Sequence, residues 1–344
     1  MGSGKTTSFD IAHRAGVSQA TVSRALRNSP LVSPETREKV QRIARELNYK
    51  VDRSAAGLRS QQSQTLALLL FQDPTTDDSQ INPFFLSMLS NITRAAARRN
   101  YDVLVSFQQL SEDWHHEYEV SNRADGIILL GYGDYVRFTD KLARLLEEGT
   151  RFVVWGATES ALDGHAVGCE NAGGGELATR HLLDLGRRRI AFIGNNTDES
   201  PEFKRRYEGY AQALADAGLE PDPALQFASD TLETAGMAAT LRLLDSGATF
   251  DAIFAASDLI AIGAIRQLRK AGLRVPGDVS VVGFDDIHAA RYLSPSLTTV
   301  RQDTRRAAEL LVDRLLRLID GERVDSVLLE PTLVVRGSCG ARRG

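Results

Sequence analysis

Apolar residues recur at two different spacings along this chain of 344 residues, and the change of spacing divides it. In the first fifty or so positions they fall three and four apart, the period of a helix face. Thr7 and Asp10 have the spacing of a capping box, so a first helix is expected from Ser8 to about Ala15. Gly16 ends it, and Ser18 caps a second helix that buries Val22, Ala25 and Leu26. A third helix opens at Ser33 with Pro34 in its first turn, where proline forfeits no needed hydrogen bond. Val40, Ile43, Ala44 and Leu47 share its inner face, and Tyr49 closes the segment.

From Thr65 onward, short apolar runs alternate with amphipathic stretches. Strands are expected at Leu66–Phe71, Asp102–Phe107, Gly126–Leu130, Arg151–Trp155, Ile190–Gly194, Ala252–Ala255 and Val279–Phe284. The helical stretches between them are Phe84–Arg99, Thr139–Glu148, Gly174–Leu185, Arg205–Ala217 and Leu259–Lys270. Such alternation argues for parallel α/β units, whose small-molecule sites lie just beyond the strand C-termini.

Charge sharpens the division. Residues 1–60 hold eleven lysines and arginines against five carboxylates, a net +6, although the whole chain carries −4. A basic head on an acidic body fits phosphate binding confined to one end. No apolar run is long enough to span a bilayer, and no signal-peptide core follows Met1, so the expected location is the cytoplasm. Cys169 and Cys339 make no metal-ligand spacing and are expected as two reduced, incidental thiols. His115 and His116 have no partner ligands at useful spacing, so neither a metal nor a cofactor is expected. Gly2-Ser3-Gly4-Lys5-Thr6-Thr7 looks like the end of a phosphate-binding loop, but the earlier glycine and the preceding strand are missing.

On the second helix, Gln19, Ala20, Ser23 and Arg24 form the outer side, where the first turns of a recognition helix meet base edges. Glutamine suits an adenine edge, and alanine suits a thymine methyl group or serves only as a helix former. Arg24 suits a guanine edge or a phosphate, while Thr21 and Ser23 are candidate phosphate anchors. Thr7, Ser18 and Asn28 complete the candidate DNA contacts.

The segments GVSQATVSRAL (16–26), VSPETREKV (32–40), LATRHLLDLGRRRIAFIG (177–194), RVPGDVSVVGFDD (274–286) and PSLTTVRQD (295–303) stand in one order along nearly the whole chain. In these the chain resembles the lactose-repressor/galactose-repressor family of bacterial transcription regulators. The resemblance implies a three-helix helix-turn-helix headpiece (1–50), a hinge helix and linker (51–63) and an effector-binding and dimerisation body (64–340). The body would be periplasmic-binding-protein-like, with two doubly wound α/β subdomains. The implied partners are double-stranded operator DNA, a small-molecule effector (a sugar or glycoside) and a second copy of the chain; no membrane is implied. No room for leucine heptads follows Arg336-Gly337-Ser338, so a dimer is expected rather than a tetramer.

In the hinge, Leu58 matches the leucine that wedges into the minor groove, and Ala55 matches the small residue between paired hinge helices. Val51, Asp52 and Ala56 depart from the usual proline, asparagine and arginine. For the effector, Arg206 matches the ligand-binding arginine and Asp285 the carboxylate that bonds sugar hydroxyls. A surface arginine and a turn-capping carboxylate are the alternatives. Ser257 stands where relatives often have asparagine, beside Asp258, read as a helix N-cap. Gln302 matches a crossover residue at the pocket floor, and Asp73 ends the first strand. Phe84, Trp155 and Phe254 are candidates for the face on which a sugar ring stacks, or core. The expected function is a repressor of carbohydrate-utilisation genes released from a pseudo-palindromic operator by a sugar. The rivals are a corepressor-dependent regulator taking a purine-like ligand and a sugar-binding transport protein. An enzyme is not expected, since no nucleophile–base pair stands in the chain.

Overall fold

The computed structural model describes residues 6–26, 28–49, 62–71, 81–108, 113–131, 135–156, 162 and 164–341. The chain divides into two compact units, Met1–Ser63 and Gln64–Gly344.

The first unit contains α1 (Ser8–Ala15), α2 (Gln19–Leu26) and α3 (Pro34–Glu46). Local chemistry starts and stops each helix. Asp10 accepts from both the backbone N–H and the hydroxyl of Thr7 at 2.8 Å. Gly16 ends α1 in the left-handed conformation at φ 67°, which glycine adopts without a Cβ clash. The hydroxyls of Ser18 and Ser33 cap α2 and α3 by accepting from Thr21 N and Thr36 N, at 3.1 and 3.3 Å. The inward faces meet in a small core of Ile11, Ala15, Val22, Ala25, Val40, Ile43 and Ala44.

In the second unit, the described residues form two six-stranded sheets. The first is laid down by β1 (Thr65–Leu70), α4 (Pro83–Arg98), β2 (Asp102–Phe107), β3 (Gly126–Leu130), α5 (Tyr135–Glu147), β4 (Phe152–Trp155) and β5 (Ala166–Cys169). The chain then passes to the second sheet through α6 (Asn171–Asp184). There follow β6 (Ile190–Ile193), α7 (Pro201–Asp216), β7 (Gln226–Phe227), α8 (Glu233–Asp245), β8 (Ala252–Ala255), α9 (Asp258–Lys270), β9 (Ser280–Asp285) and β10 (Thr298–Arg301). It returns through α10 (Thr304–Ile319) to β11 (Val327–Leu329) and ends with β12 (Thr332–Val334) back in the second sheet. The orders are β11-β5-β4-β3-β1-β2 and β12-β10-β9-β8-β6-β7. Pairing is parallel throughout except for β10 with β12.

Parallel strands covered on both faces read as unbroken apolar runs, and β1, β3, β4, β6 and β8 are buried along nearly their whole lengths. The strands Asp102–Phe107, Gly126–Leu130 and Ala252–Ala255 stand at their expected bounds, and the other expected bounds shift by up to four residues. β5, β7, β10, β11, β12, α8 and α10 were not anticipated as elements: β7 has only two residues, and β5 (AVGC) is short and small. His115 lies on a single π-helical turn, His115–Val120, with Nδ1 2.9 Å from the Thr150 hydroxyl.

Candidate functional site

Two surfaces carry the chemistry, one in each unit. In the first, Ala20 and Arg24 are exposed on α2, and Thr7, Ser18 and Asn28 are exposed around it. Gln19, Thr21 and Ser23 are half-buried. Gln19 donates from Nε2 to the Ser8 hydroxyl at 2.7 Å, which ties the start of α2 to α1. The Ser18 and Thr21 hydroxyls lie 2.9 Å apart, and Asn28, at φ 56°, accepts from Gln41 Nε2 at 2.7 Å. These bonds hold the exposed side of α2 in place from within. Ala55 and Leu58, together with the departures at 51, 52 and 56, lie outside the described residues.

The second surface is a cavity of about 680 Å³ in the body, lined by residues that follow the C-terminal ends of strands in both sheets. Phe71, Gly131, Trp155 and Cys169 come from the first sheet; Asn195, Asp230, Asp285 and Gln302 come from the second. Such crevices beyond strand ends are where open α/β sheets bind ligands.

Arg206 is the electrostatic centre. It projects from the second turn of α7 and is only 4% exposed, so it is no surface arginine. Its Nε donates to Asn171 Oδ1 at 2.8 Å and its Nη1 to the Ala256 carbonyl at 2.5 Å. The guanidinium carbon sits 3.7 Å from the centroid of the Phe284 ring, a cation–π contact, and Nη1 is 3.7 Å from Asp285 Oδ1. The α7 backbone reaches this depth because Gly209 and Gly175 let α6 and α7 touch: a Cβ on Gly209 would lie 1.8 Å from the Ala172 carbonyl oxygen.

Asp285, the last residue of β9, accepts from Gln302 Nε2 at 2.7 Å. Its φ of 119° is a strained conformation for a residue with a side chain, costing about 1–3 kcal/mol, and strain of that kind gathers at functional sites. Burial pushes its carboxyl up to about 6, against the opposing pull of Arg206 and the Gln302 amide. Asp258 is buried behind it, accepting from Ile287 N and the Thr299 hydroxyl at 2.9 and 2.5 Å. Burial holds Asp258 well above the ordinary carboxylate range, helped by the charge of Asp285.

Of the expected effector residues, Arg206, Asp285, Gln302, Phe84 and Trp155 all line the cavity. Phe84 and Trp155 form an aromatic wall with ring centroids 6.0 Å apart, joined by Phe85 at 5.4 Å from Phe84. Two others do not line it. Phe254 is fully buried in the second sheet's core, edge-to-face with Phe192 at 5.6 Å. Ser257 spends its hydroxyl as the N-cap of α9, accepting from Ile260 N at 3.3 Å. The cap therefore falls on Ser257, not on Asp258, which is a buried acceptor. Asp73 lies outside the described residues. The cavity also includes Asn171, Phe203, Asn195 and Asp230, which sequence reasoning missed. The first follows β5 and the last two follow β6 and β7, so locating β5 and β7 would have flagged Asn171 and Asp230.

Among the described residues there is no cluster of three or more potential metal ligands, and no helix is long and apolar enough to cross a membrane. Cys169 and Cys339 are both free and buried. The Arg187–Arg189 turn bonds inward, Arg187 to the Pro276 carbonyl and Arg189 to the Thr249 carbonyl.

Comparison with known proteins agrees with this division. Residues 9–52 match the model of bacterial regulatory proteins of the lacI family, and residues 179–339 match a periplasmic binding protein-like domain. The chain is 36% identical over 341 residues to the HTH-type transcriptional regulator CelR of Thermobifida fusca, covering 95% of this chain and 96% of that protein. It belongs to the lacI family. The ribose operon repressor of Haemophilus influenzae is 33% identical, covering 96% of this chain and 98% of that one. Among solved structures, the lac repressor dimer bound to operator and the anti-inducer ONPF superposes with a TM-score of 0.81 at 27% identity, covering 98% of this chain and all of that one. A CelR–cellobiose complex superposes at 0.71 with 32% identity, covering 97% and 99%. The family consists of DNA-binding transcriptional regulators, not enzymes, and this chain is such a regulator, built as a helix-turn-helix unit and an α/β body.

Proposed function

We propose that this chain is a cytoplasmic, homodimeric repressor of carbohydrate-utilisation genes, released from a pseudo-palindromic operator when a sugar fills the cavity of the body. The observation that carries the reading is the pairing of buried Arg206 and Asp285 with the Phe84–Trp155 wall. A charged, bidentate-capable donor and a carboxylate acceptor suit vicinal hydroxyls, and an aromatic face suits the apolar side of a sugar ring. The solved CelR relative carries cellobiose, and other relatives are named as ribose repressors, which supports a sugar effector.

At the DNA end, Ala20 and Arg24 meet base edges, Gln19 reads from its bond to Ser8, and Thr21, Ser23, Thr7, Ser18 and Asn28 meet the backbone. Residues 51–63 form the hinge, with Leu58 as the minor-groove wedge and Ala55 at the hinge pair's closest approach. Two copies place two recognition helices on half-sites related by the dimer's two-fold axis.

The test is to select operator DNA from a random pool and then follow mobility shift of the winning sequence with sugars and purines added. Release by a sugar is expected. DNA binding that requires guanine or hypoxanthine instead makes the protein corepressor-dependent and overturns the proposal.

A further inference from the structure

Asp285 enters the cavity from a backbone conformation that it would not hold unaided. It ends β9 at φ 119°, and Asp286 follows at φ 55°, so two successive residues with side chains stand at positive φ. Such a run persists only where its surroundings over-determine it. The groups that do so here converge on Asp258, which does not line the cavity.

Asp258 is the first residue of α9 and is fully buried. Its carboxylate does not cap the helix, since the Ser257 hydroxyl takes that place by accepting from Ile260 N. Both oxygens are turned to other elements. Oδ2 accepts from Ile287 N at 2.9 Å, and Oδ1 accepts from the Thr299 hydroxyl at 2.5 Å. Thr299 Oγ1 in turn accepts from Asp286 N at 3.4 Å. The backbone N–H of Asp258 donates to the Asp285 carboxylate itself. One residue therefore grips the run 285–287 at both ends, by its main chain at Asp285 and by its side chain at Ile287.

Two neighbours complete the grip. Gly283 makes room on β9, since a Cβ there would run into Asp258 Oδ1. Asp286, its carboxylate 2% exposed, accepts from Arg301 Nε at 2.7 Å and from Arg336 Nη2. A buried carboxylate is costly unless its oxygens are bonded, and a carboxylate alone offers two acceptors and no donor. The Ile287 N–H and the Thr299 hydroxyl need that pair of acceptors.

We propose that Asp258 is a positioning residue of the effector site: it touches no ligand and acts through Asp285, whose carboxylate it keeps beside Arg206 and Gln302 by fixing the 285–287 run. The proposal rests on the sugar-effector reading and adds to it a residue that sets affinity from behind the cavity.

Isothermal titration of the full-length protein tests it. Cellobiose, maltose, lactose, sucrose, glucose, galactose and ribose are titrated first, and the tightest binder among them is carried to the variants. Asp258→Ala is expected to weaken that sugar about tenfold or more, because Ile287 N–H and Thr299 lose a charged acceptor. Thr299→Val, which keeps the shape of the side chain, is expected to weaken it about fivefold, and Thr299→Ser to restore it to within about twofold. A residue that merely fills the core would lower the urea midpoint and leave the affinity of the folded protein alone. The second readout is a double-mutant cycle: in an Asp285→Ala background, Asp258→Ala is expected to change the affinity less than about twofold. Native affinity in both Asp258→Ala and Thr299→Val, or an undiminished effect in the Asp285→Ala background, overturns the positioning role and leaves the sugar-effector reading standing. If no sugar of the panel binds the native protein, that reading falls and this proposal with it.

Discussion

Replacing Arg206 by alanine separates the electrostatics of the pole from its packing. The side chain is 4% exposed and its partner Asp285 8%, so both charges are essentially out of water. Removing one member of a buried pair costs about 3–5 kcal/mol, because the other charge is left uncompensated. Asp285 has one escape, which is to take up a proton. With Arg206 present its carboxyl already titrates near 6, well above its unfolded value. Arg206 is the foremost influence holding it down, so its removal sends the value higher still. A carboxyl whose folded pKa is raised favours the folded state when protonated. Its contribution is present below the unfolded value and is lost as pH climbs to the folded value, at up to about 1.4 kcal/mol per pH unit. In the native protein this loss is complete near pH 6; in Arg206→Ala it continues to higher pH. Asp258 is raised chiefly by burial, which both proteins keep, and secondarily by the charge of Asp285. Urea denaturation at about pH 5.5, 6.5 and 8 should therefore show the stability gap between the two proteins widening from the middle to the highest pH, at no more than about 1.4 kcal/mol per pH unit. Adding Asp285→Asn to Arg206→Ala should remove the widening. Sugar release of operator should vanish in Arg206→Ala while DNA binding persists. A gap that stays constant over this range, or an undiminished response to the same sugar dose, refutes the role given to the pair.

Gly209→Ala should destabilise the body by about 3 kcal/mol or more and weaken effector binding, since a Cβ 1.8 Å from the Ala172 carbonyl forces α6 and α7 apart and carries Arg206 with them. A urea midpoint equivalent to less than about 0.5 kcal/mol of loss contradicts that packing. Leu58→Ala should weaken binding to the selected operator at least tenfold, about the worth of a buried leucine side chain, and leave weak, salt-sensitive binding to random DNA nearly intact. Equal loss on both DNAs in a mobility-shift titration removes the wedge. Burial pushes the Cys169 thiol up to about 12, so iodoacetamide at about pH 8 should label it roughly a thousandfold faster in urea than in the native protein, and Cys339, 1% exposed, should be protected by its cover alone. Rapid native labelling of either, read by mass spectrometry, counts against the packing described.

The headpiece was legible because its signals are local. Thr7 with Asp10, Gly16, Ser18, and Ser33 with Pro34 each act within one helical turn, and each stands where the sequence placed it. In the body, apolar runs located strands but not their layers. A strand buried on both faces has no polar side to say which way a residue points, so Phe254 was open between ring-stacking face and core; it packs in the core against Phe192, its register partner on the adjacent strand. Ser257 lies beyond a strand end, but helix capping claims its hydroxyl before a ligand can. Asn171 and Asp230 were invisible for a different reason: they follow β5 and β7, whose four and two residues are too few to produce a periodic signal. Arg206 was found through motif and spacing, but its burial depends on the α6–α7 approach at Gly175 and Gly209, which is tertiary.

The division of the cavity between two sheets sets a condition on any effector that works as a switch. A ligand moves a conformational equilibrium only by the difference in its affinity for the two states, and a near-complete shift takes about 5.5 kcal/mol. A ligand held only by Asp285 and Gln302 touches groups hydrogen-bonded to one another at the ends of neighbouring strands of the second sheet, whose geometry that sheet fixes. Its affinity is then the same in both states, and tight binding shifts nothing. The difference must arise from contacts whose separation changes, namely those between this pole and Phe71, Phe84 and Trp155 of the first sheet. The connections joining the sheets run through 170–189 with α6, 302–326 with α10, and the short step from β11 to β12 at 330–331. Gln302, which opens the second of these, bonds Asp285 directly. Occupancy of the pole and the path of the chain between sheets therefore meet at one side chain, and a sugar that bonds Asp285 while stacking on Trp155 acts on both sheets at once.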